Sequence, residues 1–434
     1  MSMWTKKGVI IFSAVILLIL FGASLRNLPL LGVSIALLAY LMVSVLSNRT
    51  SQLYPNRQIS NEKIFEDGSV KVELRLLNQG GKTGFLEVRD KLPKEMDAIR
   101  GSNYTYLNLN PGQEARIRYT LKCPIKGVYH MGPIQVRSHD PFNLFYTELE
   151  AEFDTTLTVF PQTREVKELY IKSRQPKIYP GEMRVKMPGP GYEFFSIRDY
   201  IPGDPFKNIN WKAYASTGKL LVNEHERESV SDITLVFDSR AVSNYGMTSD
   251  NANLYGARAA ATLANFFLKR RDSVQLVIYS DKVQTVKKGG GQKQLFEILT
   301  SLAGANPKGD IPLNGIVEVA LPYMPRQSPV IIISSLDDDE TLRKAVSTMR
   351  VLEFDVTIIS PSSIDFELMA REHNKDIVKQ VDPVSFDVIR LERDIVLNEL
   401  RGYGVRVVDW KPEMPLIQVL LEARNLPTRG GGLA

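Results

Sequence analysis

The spacing of hydrophobic positions falls into three regimes along this chain. In the first, residues 8–25 (GVIIFSAVILLILFGASL) and 28–47 (LPLLGVSIALLAYLMVSVLS) are uncharged apolar runs separated only by Arg26 and Asn27. Each approaches the roughly 20 apolar residues that a helix needs to cross a bilayer. Neither keeps the polar face expected of a core helix in a soluble domain. A signal peptide is the rival reading of the first run, but no cleavage region follows and a second run comes at once. The expectation is a transmembrane helical hairpin over residues 1–50, with two spans in the cell membrane. Lys6 and Lys7 precede it and Arg49 and Arg57 follow it, against Arg26 alone in the connection. Positive flanks face the cytoplasm, so both ends and the bulk of the chain are expected there.

In the second regime the period is two. Val70, Val72, Leu74 and Leu76 alternate with Lys71, Glu73 and Arg75, and Ala115, Ile117, Tyr119 and Leu121 alternate with Arg116, Arg118 and Thr120. Such alternation marks strands with one face buried and one wet. Turn residues lie at 78–81, 110–112 and 126–127, and further strands are expected at Phe85–Val88, Ile134–Val136 and Thr156–Phe160. Together these predict an immunoglobulin-like β-sandwich over residues 51–160.

The third regime alternates short Val/Ile/Leu runs with stretches of helical spacing. Strands are predicted at Ile233–Phe237, Val274–Tyr279, Val330–Ser334, Val356–Ile359 and Val405–Val408, with an edge strand at Val283–Val286. Helices are predicted at Asn253–Lys269, Gln294–Leu302, Leu313–Leu321, Thr341–Val351, Phe386–Leu400 and Leu416–Ala423. Continuous apolar strands are those buried on both faces of a parallel sheet, so residues 230–425 read as an α/β, Rossmann-like domain. A Gly-rich tail, 426–434, is expected to be disordered.

Composition narrows the chemistry. With 54 basic and 49 acidic residues the net charge is +5, and no block of like charge advertises nucleic acid. A single cysteine, Cys123, excludes an internal disulfide and a cysteine-rich zinc site. His130 and His139 stand nine residues apart with no third histidine nearby, a spacing that suits surface residues better than metal ligands.

Residues 161–229 join the second and third regimes as a connector followed by a segment rich in Gly, Pro and aromatic residues, Pro188–Glu228. Each Pro removes a backbone donor and each Gly relaxes φ, so an irregular ordered loop with short strands is expected. Within it stand Gly191, Glu193, Phe194, Arg198, Tyr200, Gly203, Asp204, Ile209, Asn210, Trp211, Lys212, Ala213, Ala215, Leu220 and Val222. At this spacing the segment resembles the signature of the domain-of-unknown-function family fifty-eight, which leads into a von Willebrand factor A-like (vWA-like) fold. Lys207 and Ser216 depart from it, standing where the family usually has Arg. A Lys lacks the planar bidentate grip of a guanidinium.

The resemblance implies a divalent ion, Mg²⁺, above the carboxyl edge of the sheet, held by a D-x-S-x-S loop and by two further loops. Here that loop reads DSRAVS. Asp238 is kept, Arg240 and Val242 take the serine positions, and Ser239 and Ser243 are displaced; Asp310 and Asp337 stand in the other two loops. A guanidinium beside Asp238 can neutralise it and replace the ion. In the signature, Asp204 suits backbone amides, Trp211 suits anchoring the loop on the sheet, and Arg198 suits pairing with Glu193 or Asp204. No nucleophile and base stand at usable spacing, and no P-loop is present, so an interaction protein is expected rather than an enzyme. The resemblance further implies a MoxR-type AAA+ ATPase as partner, with the chain as adaptor in assembling or activating protein complexes. The alternatives are a metal-dependent hydrolase using Asp204, Glu193 and Asp238, and an externally facing adhesive module.

Overall fold

The computed structural model describes residues 2–47, 52–166, 183–229, 231–312, 328–336, 340–373 and 383–425, with 315, 321 and 324. Asp337, most of the helix expected at Leu313–Leu321, the tail 426–434 and the side chains of Glu193 and Phe194 lie outside the described residues. Two compact units divide the chain, Met1–Val159 and Phe160–Ala434.

The first unit opens with helices α1 (Lys6–Ser24) and α2 (Leu28–Ser47). Thr5 caps α1, its hydroxyl accepting from the Gly8 amide at 3.1 Å. Both helices are long and apolar enough to cross a membrane, with mean hydropathies of 2.3 and 2.2. Only 17% of each apolar window is buried, which separates them from core helices of a soluble domain.

Beside them stand β1 (Ser2–Trp4), β2 (Leu53–Ile59), β3 (Lys63–Phe65), β4 (Gly68–Asn78), β5 (Phe85–Asp90), β6 (Asp97–Arg100), β7 (Tyr104–Leu107), β8 (Glu114–Cys123), β9 (Gly127–His130), β10 (Ile134–His139), β11 (Phe145–Ala151) and β12 (Thr156–Phe160). Their sheets run β1-β11-β10-β5-β7, β2-β4-β8-β6 and β3-β12-β9. Alternate residues Val70, Val72, Leu74 and Leu76 of β4 share one core with Leu86 and Val88 of β5 and with Ile134 and Val136 of β10. Inside it Arg57 of β2 donates from Nε to Asp90 of β5 at 3.1 Å, and the Tyr119 hydroxyl of β8 donates to the same carboxylate. Burial pushes the Asp90 carboxyl up, against the pull of Arg57.

In the second unit, β13 (Met183–Asp199) and β14 (Leu221–Ser229) form an antiparallel hairpin around α3 (Trp211–Thr217). The irregular ordered loop with short strands expected from composition is thus a pair of strands, longer than expected, enclosing a loop and a short helix. β13 carries register shifts between Val185 and Pro188, Gly189 and Phe194, and Phe194 and Ser196; Pro190 and Gly191 fall in the second, whereas Pro188 and Gly189 stay in register with Glu226 and His225. A bulge leaves extra residues of one strand unpaired, so a missing donor or a relaxed φ there breaks no ladder.

Then come β15 (Asp232–Asp238), the short pair β16 (Gly246–Met247) and β17 (Asp250–Asn251), α4 (Ala252–Lys269), β18 (Ser273–Tyr279), β19 (Val283–Gly289) and α5 (Gly291–Gly304). After these lie β20 (Pro329–Ile333), α6 (Glu340–Val351), β21 (Asp355–Pro361), α7 (Ser363–His373), α8 (Pro383–Gly402), β22 (Arg406–Trp410) and α9 (Leu416–Asn425). Helix α7 is absent from the sequence reading, since its apolar positions form only a weak stripe. The six-stranded sheet runs β19-β18-β15-β20-β21-β22 and is parallel except at its edge strand β19. Ile233, Leu235 and Phe237 face a core with α4, α5 and α9. Val236, Val330, Ile332, Val356 and Ile358 face a second core with α6 and α8. Burial on both faces is the reason these strands read as unbroken apolar runs. It also leaves the carboxyl ends of β15, β20, β21 and β22 as one edge where polar side chains can gather.

Candidate functional site: the carboxyl edge of the sheet and the signature hairpin

Asp238 ends β15 with its side chain fully buried. The chain then turns through a short helical turn, Ala241–Ser243, which brings Arg240 back over it. Oδ1 of Asp238 accepts from Arg240 Nε at 3.0 Å, from the Arg240 amide at 3.1 Å and from Ser243 Oγ at 3.2 Å. Oδ2 accepts from Arg240 Nη2 at 2.9 Å and from Ser334 Oγ, just beyond β20, at 2.7 Å. The guanidinium carbon also lies 5.6 Å from the centre of the Tyr279 ring. A buried carboxylate is tolerated only with charge and hydrogen bonds supplied, and here one arginine and two serines supply both.

The residues present do not fit Mg²⁺. Both oxygens of Asp238 are taken, and the cationic position above them holds a guanidinium. Ser239 Oγ accepts from Asn253 Nδ2 at 3.0 Å rather than turning to Asp238. Asp310 is 64% exposed, its nearest cation being Arg240 Nη1 at 3.6 Å. Among the described residues no group of three or more His, Cys, Asp or Glu is placed to hold a metal. Of the two expectations for this edge, an ion held by Asp238, Ser239, Ser243, Asp310 and Asp337 or a guanidinium in its place, the described residues carry the guanidinium.

A second guanidinium closes the same edge farther along. Arg393 of α8 donates to Asp409 from Nε at 3.0 Å, to the Ser335 carbonyl at 2.6 Å and to Ser360 Oγ at 2.7 Å. It therefore joins the carboxyl ends of β20, β21 and β22. Sequence reading missed it because a lone arginine in an amphipathic helix looks like surface.

In the signature hairpin Arg198 grips Asp204, from Nη1 at 2.7 Å and Nη2 at 2.8 Å, and reaches Glu224 from Nε at 2.8 Å. Asp204 also accepts the Ile201 amide at 2.9 Å. The Arg198 guanidinium, helped by that amide, holds the Asp204 carboxyl down to about 2. Ser196, and then Arg198, lower Glu224. Such carboxylates are fixed anions and poor bases. Asp204 is thus the signature carboxylate that Arg198 takes, together with Glu224, which the motif did not flag.

Asn210 caps α3, accepting the Ala213 amide at 2.9 Å and donating to Asn223 Oδ1 at 2.9 Å. Tyr200 closes the loop through its amide to the Leu220 carbonyl at 3.0 Å. Gly203, at φ 111, and Gly218, at φ 69, occupy conformations that a side chain would strain. Gly191, Glu193 and Phe194 lie along β13, with Phe194 in register with His225. Trp211 and Lys212 open α3 and face outward, Trp211 being 58% exposed. The expectation that Trp211 anchors the loop on the sheet is therefore wrong. Its one ring neighbour among the described residues is Tyr214, on its own helix at 6.2 Å.

Residues 196–365 match the model of the family described as Protein of unknown function DUF58, a span that holds both Arg198–Asp204 and Arg240–Asp238. No curated protein matches the chain in sequence. Among solved structures it is similar to the cupredoxin domain of amoB from Nitrosocaldus yellowstonii, at 12% identity and TM-score 0.20, over 29% of this chain and 97% of that one. A FixG-related protein from Vibrio parahaemolyticus is similar at 13% identity and TM-score 0.18, over 25% and 98%. The CARDB domain of the PF1109 protein from Pyrococcus furiosus is similar at 14% identity and TM-score 0.18, over 26% and 91%.

Proposed function

We propose that this chain is a membrane-anchored protein-interaction module and not an enzyme. In this reading α1 and α2 hold it in the bilayer with its bulk in the cytoplasm. An immunoglobulin-like β-sandwich serves as spacer and a vWA-like domain as the recognition part. The observation that carries the reading is the bidentate Arg240–Asp238 pair, which occupies with protein groups the edge where an α/β sheet of this kind opens to ligands. A site so filled keeps the Asp238 carboxylate from acting as a base, and it fixes the backbone that presents the exposed Asp310 beside Arg240. The partner, taken from the family resemblance, is a MoxR-type AAA+ ATPase served by this chain as adaptor.

The test is affinity capture of the full chain from its own membranes after mild cross-linking. Wild type is expected to recover an AAA+ ATPase. Asp310→Lys, which alters an exposed side chain, is expected to lose it at an unchanged melting temperature. Capture of the ATPase by neither protein sinks the partnership, and equal capture by both moves the contact off this edge.

A further inference from the structure

The tip of the signature hairpin satisfies its own polar groups and leaves its apolar ones to the outside. Its polar groups pair with one another at the surface, through Arg198 to Asp204 and Glu224 and through Asn210 to the Ala213 amide and Asn223. Its large apolar side chains are turned outward. Phe206 is 73% exposed, and Ile201, Trp211, Tyr214 and Leu220 are exposed with it. Only Ile209, bridged to Val222, packs inward. Lys207, Lys212 and Lys219 stand exposed between the apolar groups and form no ion pair among the described residues. The tip is also ordered, since the Asn210 cap, the Arg198 clamp and the Tyr200–Leu220 hydrogen bond hold its backbone.

Exposed apolar side chains gathered in this way mark a surface suited to a partner or a membrane. We propose that this tip is an interfacial membrane-docking element whose ligand is an anionic bilayer surface. Trp, Tyr and Phe beside Lys is the composition that settles at the headgroup level, rings below and ammonium groups reaching up to phosphates. Charge agrees. The Asp204 carboxylate is held by Arg198, which it shares with Glu224, and Asp199 is the one exposed acid between residues 197 and 220, against three exposed lysines. Each such lysine near an anionic leaflet strengthens attachment roughly fivefold. The proposal rests on the membrane reading above, because α1 and α2 are what bring the chain to a bilayer.

The experiment uses the full chain reconstituted into phosphatidylcholine vesicles with and without phosphatidylglycerol, the acyl chains brominated in half of the samples. A Trp4→Phe background removes the exposed tryptophan at the N-terminus, and Trp410 is buried. The emission of Trp211 is then the difference between Trp4→Phe and Trp4→Phe/Trp211→Phe. The expected result is a blue-shifted Trp211 that loses most of its emission to brominated lipid when phosphatidylglycerol is present. Lys207→Glu/Lys212→Glu/Lys219→Glu is expected to restore that emission. Trp211 quenched by aqueous iodide and not by brominated lipid overturns the proposal. Shielding from both quenchers also overturns it, and assigns the tip to a protein, whether another chain or a second copy. An alkaline wash separates the two readings. A chain washed off the vesicles removes the anchor and this inference together, whereas a retained chain with unquenched Trp211 removes only the inference.

Discussion

Arg198 and Arg240 solve one electrostatic problem in two settings, each gripping an aspartate through two nitrogens. At Asp238 both partners are buried. Removing a buried cation strands the anion, so the arginine is needed for the fold whatever else it does. At Asp204 the pair lies at the surface, and its signature is titration. The Asp204 carboxyl falls from 3.8 to about 2 in the folded chain. A depressed carboxyl contributes stability that is fully present above its unfolded value and is lost as pH falls through the folded one. The Arg198–Asp204 contact is therefore expected to be intact at pH 4 and to open near pH 2, read from the side-chain carboxyl carbon of Asp204 by NMR. With Arg198→Gln the same titration is expected to move up toward an ordinary aspartate.

Among the elements, α4 meets the sheet through a glycine, Gly256. A Cβ there would stand 2.8 Å from the Phe237 ring and 3.2 Å from Ile333. Phe237 is a fully buried core side chain with little room to yield. Gly256→Val is expected to destabilise by about 1–3 kcal/mol through overpacking, despite the helix propensity gained. Thermal unfolding of the full chain in detergent measures it. The hairpin of β13 and β14 shows another element-scale effect. Proline and glycine argue against regular structure residue by residue, yet the strand forms, with Pro190 and Gly191 set outside the ladder by a register shift and Pro188 and Gly189 kept within it.

For the whole molecule the open quantity is topology. Cys123 is the only cysteine, it is buried, and burial pushes its thiol up to about 11, so the wild-type chain is a silent background for thiol labelling. A cysteine at Asn27, between α1 and α2, is expected to react with an impermeant maleimide in intact cells. One at Lys63 is expected to react only after permeabilisation. The reverse pattern favours the externally facing adhesive module, and Lys63 labelled from outside removes the cytoplasmic reading directly.

Local pattern determined much of this protein. The two uncharged runs are helices α1 and α2, the period-two stretches are β4 and β8, and the unbroken Val/Ile/Leu runs are the strands of the six-stranded sheet, because repeat spacing is fixed by the geometry of each element. Asp238 and Arg240 could be read as neighbours since only Ser239 separates them. What tertiary structure alone decided is which distant groups converge. Ser334 reaches Asp238 across 96 residues because β15 and β20 are adjacent and parallel. Glu224 reaches Arg198 because β14 returns beside β13, and Arg393 plugs three strand ends because α8 packs across them. The outward turn of Trp211 belongs to the same class. A tryptophan in a motif reads as an anchor, and its exposure follows from a helix cap and a polar clamp that already hold the loop without it.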